Sequence, residues 1–167
     1  MLKEESFHLG TGSNGLRRII KAGVIPLDML QRYMNKWVAT AHDLFGTDSS
    51  TSAHWAYVWG VKGRWDERKK LDAEIDVNKE VLNEEGRGHY HEEIVREVQK
   101  LNGYLPEDCG VTLYVPHENF HRDIGAFGGK KCYTDGSLFE GSDEEYDAYL
   151  KTVLPTPEDE EALKEIF

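Results

Sequence analysis

The stretch "IPLDMLQRYMNKWVATAHDLFG" limits what this chain can fold into more than any other part of it. Leu27, Leu30, Met34, Trp37, Ala41 and Leu44 recur at alternating intervals of three and four residues. That spacing draws one apolar stripe along a helix, and the stripe must be packed against other helices. Pro26 suits the first turn, where its missing N–H costs nothing, and Gly46 suits the position just past the end. Asp28, Arg32, Asn35 and Lys36 fall on the other side, which predicts solvent or a polar interface there.

The neighbouring segments extend an all-helical pattern. "SNGLRRIIKAG" predicts a short helix closed by Gly23. A second long helix is predicted from about Asn78 to Leu101, with Val81, Leu82, Ile94, Val95, Val98 and Leu101 on its apolar side. "EEGRGHY" interrupts it, and two interior glycines at roughly 1 kcal/mol each predict a kink or break. From Pro106 to Glu140 the periodicity is lost. "VTLYVP" and "GGKKCYTDG" read as short strands or extended loops, with turns at Gly128-Gly129 and Asp135-Gly136. Ser142 with Glu145 is a capping-box pattern, and Thr156-Pro157 with Asp159 is a second helix start, so two short helices should close the chain. The fold class is mainly α, with a short irregular or β stretch.

With 167 residues, 39% of them hydrophobic, the chain can bury a core. Its net charge of -11 argues against nucleic acid or an anionic membrane as partner. No apolar run approaches the length of a membrane span, and the first ten residues lack the apolar region of a secretory signal. Cys109 and Cys132 show no metal or redox spacing and read as reduced thiols of a cytoplasmic protein. "SSTSAHWAYVWGVKGRW" gathers His54, Trp55, Tyr57, Trp59 and Trp65, either as core or as the wall of a substrate pocket.

Two Glu-x-x-His motifs occur. Glu118 and His121 follow Pro116 in the non-helical stretch and share no common function. Glu5 and His8 stand where a helix would place both side chains on one face, one turn apart, in reach of one metal ion. As a motif alone, this reads first as an exposed first-turn carboxylate and a surface imidazole. A ferritin-like di-iron site takes six ligands from four helices, and this chain offers one such pair on a helix.

The longer run beginning "MLKEESFHLGTGSNGLRRIIKAGVIPLDML" and continuing through "HWAYVWGVKGRWDE", "YHEEIVREVQKLN", "LYVP" and "IGAFGGKKCYTDG" resembles the oxygenase component of the benzoyl-CoA 2,3-epoxidase family. That family is related to the oxygenase subunit of phenylacetyl-CoA epoxidase. The resemblance implies the C-terminal portion of a ferritin-like di-iron bundle over residues 1–104, and a C-terminal extension over residues 105–167. It implies that Glu5 and His8 are the last two iron ligands, with the others in a missing N-terminal part of the subunit. It further implies O2 and benzoyl-CoA as substrates, and a reductase component that carries FAD and iron–sulfur clusters and draws on NADPH. Arg17, Arg18, Lys21, Lys62, Arg64, Lys130 and Lys131 are candidate contacts to the CoA phosphates, with solvated surface as the default for each. The alternative is a metal-free helical module that binds a partner protein or an acyl-CoA.

Overall fold

The computed structural model describes residues 2–45, 79–107 and 109–166. Helix α1 spans Leu2–Ala22, α2 Leu27–Asp43, α3 Lys79–Asn102, α4 Asp143–Val153 and α5 Pro157–Ile166. The aromatic-rich stretch with His54 to Trp65 lies outside the described residues, as do the side chains of Val81 and Leu82. Among the described residues the only ladder pairing is the isolated antiparallel bridge between Cys132 and Leu138. Among the described residues no helix is long and apolar enough to cross a membrane. The described residues fall into two compact units: those within 1–37, 94–115 and 141–167 form one, and those within 38–93 and 116–140 the other.

The first unit is centred on Ile20, Val98, Leu101 and Leu113, with Leu27, Leu30, Met34, Ile94, Leu105 and Val115 packed around them. Helix α1 is longer than the sequence suggests. It runs unbroken through Gly10, Gly12 and Gly15, and a Cβ at any of the three would meet nothing within 4 Å. Its end matches the expectation: Gly23, at φ 64, donates its N–H to the carbonyls of Ile19 and Ile20. Both short helices begin as predicted. Ser142 Oγ accepts from Glu145 N while Ser142 N donates to Glu145 Oε2 at 2.7 Å. Thr156 N likewise donates to Asp159 Oδ2 at 3.0 Å, and Asp159 N donates back to the Thr156 hydroxyl. Asp159 is also gripped by both arms of Arg32, with Nε to Oδ2 at 2.8 Å and Nη2 to Oδ1 at 2.5 Å. The Arg32 hydrogen bonds are the main reason the Asp159 carboxyl titrates below its ordinary range.

The stripe on α2 is only half right. Leu27, Leu30 and Met34 do pack on the core, but Trp37 is 63% exposed and Leu44 79% exposed. The later residues that are buried are Asn35, Val38, Ala39 and His42. At 3.6 residues per turn they lie roughly a third of a turn round from the predicted stripe. Two of those four are polar, so an apolar pattern could not reveal them. Trp37 instead lies under the Lys36 ammonium, whose Nζ is 5.6 Å from the ring centroid.

Asn35 explains why a polar side belongs inside. Its amide nitrogen donates to Val153 O at 2.8 Å, and its oxygen accepts from Gln31 Nε2 at 2.7 Å. Gln31 in turn brackets Tyr114, donating to its carbonyl and accepting from its N–H, both at 2.9 Å. One residue away, Asn102 does the same to Leu113, donating to O at 2.8 Å and accepting from N at 2.9 Å. Residues 111–116 are therefore extended, as "VTLYVP" suggests, but side-chain amides take the place of a neighbouring strand.

The second unit corrects another expectation. Helix α3 continues without a break through Gly86 and Gly88. At Gly86 a Cβ would lie 3.6 Å from the Phe45 ring, an ordinary contact distance, so the packing there does not require glycine. The irregular stretch carries the expected turns, with Gly129 at φ 71 and Gly136 at φ 88.

These packing facts invert the cost expected from the stripe. Trp37→Ala should lower stability by less than about 1 kcal/mol in denaturant melts. Asn35→Ala, which leaves the part-buried Val153 carbonyl without its donor and takes one of two acceptors from the Gln31 amide, should cost about 1–3 kcal/mol. The opposite ranking would show that the stripe, and not the amide face, is what α2 buries.

Candidate functional site

Glu5 and His8 sit near the start of α1, on one face, with His8 Nδ1 3.9 Å from Glu5 Oε2. Two metal–ligand bonds of roughly 2.1 Å each span up to about 4 Å, so one ion could contact both atoms. Both side chains are open to solvent, at 62% and 74% exposure for His8 and Glu5 respectively. Phe7 and Leu9 beside them are exposed as well. Set against a di-iron centre, the pair has the right chemistry: a hard carboxylate and an imidazole on one helical face. It does not make a complete centre. Among the described residues no group of three or more His, Cys, Asp or Glu could hold a metal ion.

Glu118 and His121 do not come together as a helical pair, in line with the sequence. They lie in a turn, and His121 takes a positive φ of 47.

Sequence reasoning missed a different cluster, in the second unit. His42, from α2, is completely buried, and its Nε2 lies 3.3 Å from His91 Nδ1, from α3. Whichever of these two nitrogens carries the hydrogen donates to the other. Tyr90 meets the His42 ring edge-on at 5.9 Å between centroids, and His117 stands 6.4 Å from His91. The position of His117 is fixed by Gly136, since any Cβ there would run into the imidazole ring. Its Nδ1 accepts from Asn119 N, so the neutral ring carries its hydrogen on Nε2.

Two buried guanidiniums belong to the same cluster. Arg87 is held by Glu84, and Arg122 Nε lies 3.5 Å from Asp43 Oδ1. Gly125 leaves the space that Arg122 Nη2 fills. Arg87 Nε, Arg122 Nη2 and His42 Nδ1 are buried with no hydrogen-bond partner. Burial is the largest cause holding Arg122 below its ordinary range, followed by the Arg87 charge. The same two influences act on His42. Burial first, then the charges of His91, Arg87, Arg122 and His117, push its pKa down to about 4. Burial also lowers His91, against the pull of Glu118. At neutral pH both imidazoles are therefore uncharged. The only signal in the sequence is the occurrence of His42, Arg87, His91, His117 and Arg122 on three separate segments, with no motif joining them.

Comparison with curated proteins places this chain among the relatives of an oxygenase component. That relative is benzoyl-CoA oxygenase component B of Aromatoleum evansii, 30% identical over 95% of this chain, which bears out the resemblance read from the sequence. The chain spans 42% of that protein's length, in keeping with the C-terminal portion that the resemblance implies. No family model matches the chain.

The histidine cluster sets the direction of the pH dependence. His42 has a folded pKa of about 4 against an ordinary 6.5, so between these values the unfolded chain binds more protons. Stability should be flat above about pH 6.5 and fall as the pH drops from there to about 4. His42→Asn, which is smaller and does not titrate, should be less stable at pH 7 and should flatten the slope. Thermal melts across that range check this, and an unchanged slope in the variant would assign the acid loss to other groups.

Proposed function

We propose that this chain is part of the oxygenase component of a di-iron benzoyl-CoA epoxidase, an oxidoreductase of aerobic benzoate breakdown. The observation that carries the reading is the one-face pairing of Glu5 and His8, on the first described helix of a chain related over 95% of its length to a benzoyl-CoA oxygenase component B. In this reading residues 1–104 belong to the ferritin-like bundle and residues 105–167 form its extension. Glu5 and His8 supply one carboxylate and one imidazole, and their exposure leaves room for the remaining donors to come from an upstream part of the subunit. When bound, the iron pair supplies O2 activation, with one oxygen atom going to the 2,3 bond of the benzoyl ring and the other leaving as water. The two electrons come from a reductase component that uses NADPH, FAD and iron–sulfur clusters.

A second reading has its own observation. No third donor accompanies Glu5 and His8 among the described residues, which favours a metal-free helical module that binds a partner protein or an acyl-CoA.

Iron content separates the two. The chain alone should retain well under two irons per molecule after anaerobic loading with ferrous iron. Co-expressed with the upstream portion of an oxygenase component, it should retain about two, and Glu5→Ala or His8→Ala should each abolish this. Iron retention unaffected by both substitutions would remove Glu5 and His8 from the metal site. An iron-free complex that still binds benzoyl-CoA would establish the second reading.

A further inference from the structure

A cavity of about 410 Å³ opens in the first unit where α1 ends and α2 begins. Ile20, Leu27, Leu30, Leu105 and Pro106 wall it, and the first four belong to the core or pack against it, so its surface is mainly apolar. The volume lies in the range of small-molecule pockets. Two further lining residues, Lys21 and Tyr104, are exposed and so stand at the opening. Lys21 Nζ lies 4.8 Å from the centroid of the Tyr104 ring, and the Arg17 guanidinium lies 5.8 Å from the same centroid.

Acidic residues outnumber basic ones by 31 to 20, and Arg32, Lys100 and Lys164 each hold a carboxylate. Arg17 and Lys21 hold none among the described residues; both rest on one aromatic ring. An apolar cavity with Lys21 at its rim, and Arg17 on the same rim residue Tyr104, is complementary to a molecule with an apolar body and an anionic head. We propose that this cavity binds an apolar carboxylate, such as an arylalkanoate, with the hydrocarbon inside and the carboxylate between Arg17 and Lys21. The site is separate from the Glu5–His8 pair: Lys21 is thirteen residues beyond His8 on α1, or roughly 20 Å at 1.5 Å per residue. It therefore stands or falls apart from the metal reading.

Cys109 provides the readout, because it lines the cavity and is partly accessible, whereas Cys132 is fully buried. Alkylation of Cys109 by iodoacetamide would be followed by peptide mass mapping, with Cys132 as the internal control. 6-Phenylhexanoate should slow Cys109 alkylation saturably, by tenfold or more, and leave Cys132 unchanged. 6-Phenylhexan-1-ol, with the same body and no charge, should protect at least tenfold more weakly, and so should free coenzyme A, which has phosphates but no apolar ring. The double variant Arg17→Glu/Lys21→Glu should need at least tenfold more carboxylate for half-protection. Arg17→Gln/Lys21→Gln, a milder change, should shift it in the same direction, with circular dichroism confirming that each variant is folded. Equal protection by the alcohol or by coenzyme A, undiminished protection in both folded variants, or no protection by the carboxylate up to its solubility would each overturn the proposal.

Discussion

An extended backbone segment with no strand beside it must find partners for its N–H and C=O groups elsewhere, or leave them unpaired at a cost of about 1–3 kcal/mol each. Here Gln31 and Asn102 meet that demand, each closing a two-bond ring on a single residue of the segment 111–116. Consecutive residues are thus gripped from two different helices, α2 and α3. Asn35 continues the same polar seam to the C-terminal end of α4 through Val153 O. Helices, extended segment and closing helix of the first unit are consequently held in register by three carboxamides, and its apolar core around Val98 and Leu113 forms on a frame they fix. Apolar burial drives this unit together without direction; the amides decide which arrangement results.

The second unit places polarity inside on different terms. Its imidazoles and guanidiniums lose hydration on burial, and the neutral state of His42 and His91 keeps that loss bearable. The guanidiniums of Arg87 and Arg122 each have a carboxylate in contact, Glu84 and Asp43 respectively. The glycines matter most at these points. Gly125 and Gly136 are positions where a side chain would strike Arg122 and His117, and both already have the positive φ that glycine tolerates.

What could be read from the sequence follows from which signals are local. Capping at Ser142 and Thr156, the stop at Gly23 and the turns at Gly129 and Gly136 depend on residues close in the chain, and the fold has them where the sequence puts them. The extended state of residues 111–116 was visible, but its partners were not, since Gln31 is 83 residues from Tyr114. The burial of Asn35 and His42 was hidden because periodicity counts apolar residues, and these are polar. Gly86 and Gly88 suggested a break, but the helix runs on through both. Glu5 and His8 could be placed on one helical face from their spacing. The buried histidine and arginine cluster could not, because it assembles from segments that carry no shared motif.

Helix α1 holds together across a run, Gly10-Thr11-Gly12-Ser13-Asn14-Gly15, made almost wholly of poor helix formers. Its last turns are anchored by Ile20 in the core, whereas the turns bearing Glu5 and His8 are exposed. Such a middle section opens at little free-energy cost, so backbone amides before it should exchange with solvent far faster than those after it. The two ends of α1 then behave as separate cooperative segments. A ligand that settled on Glu5 and His8 would wind the front segment without altering the back one, and the cavity beside Lys21 would not register its arrival.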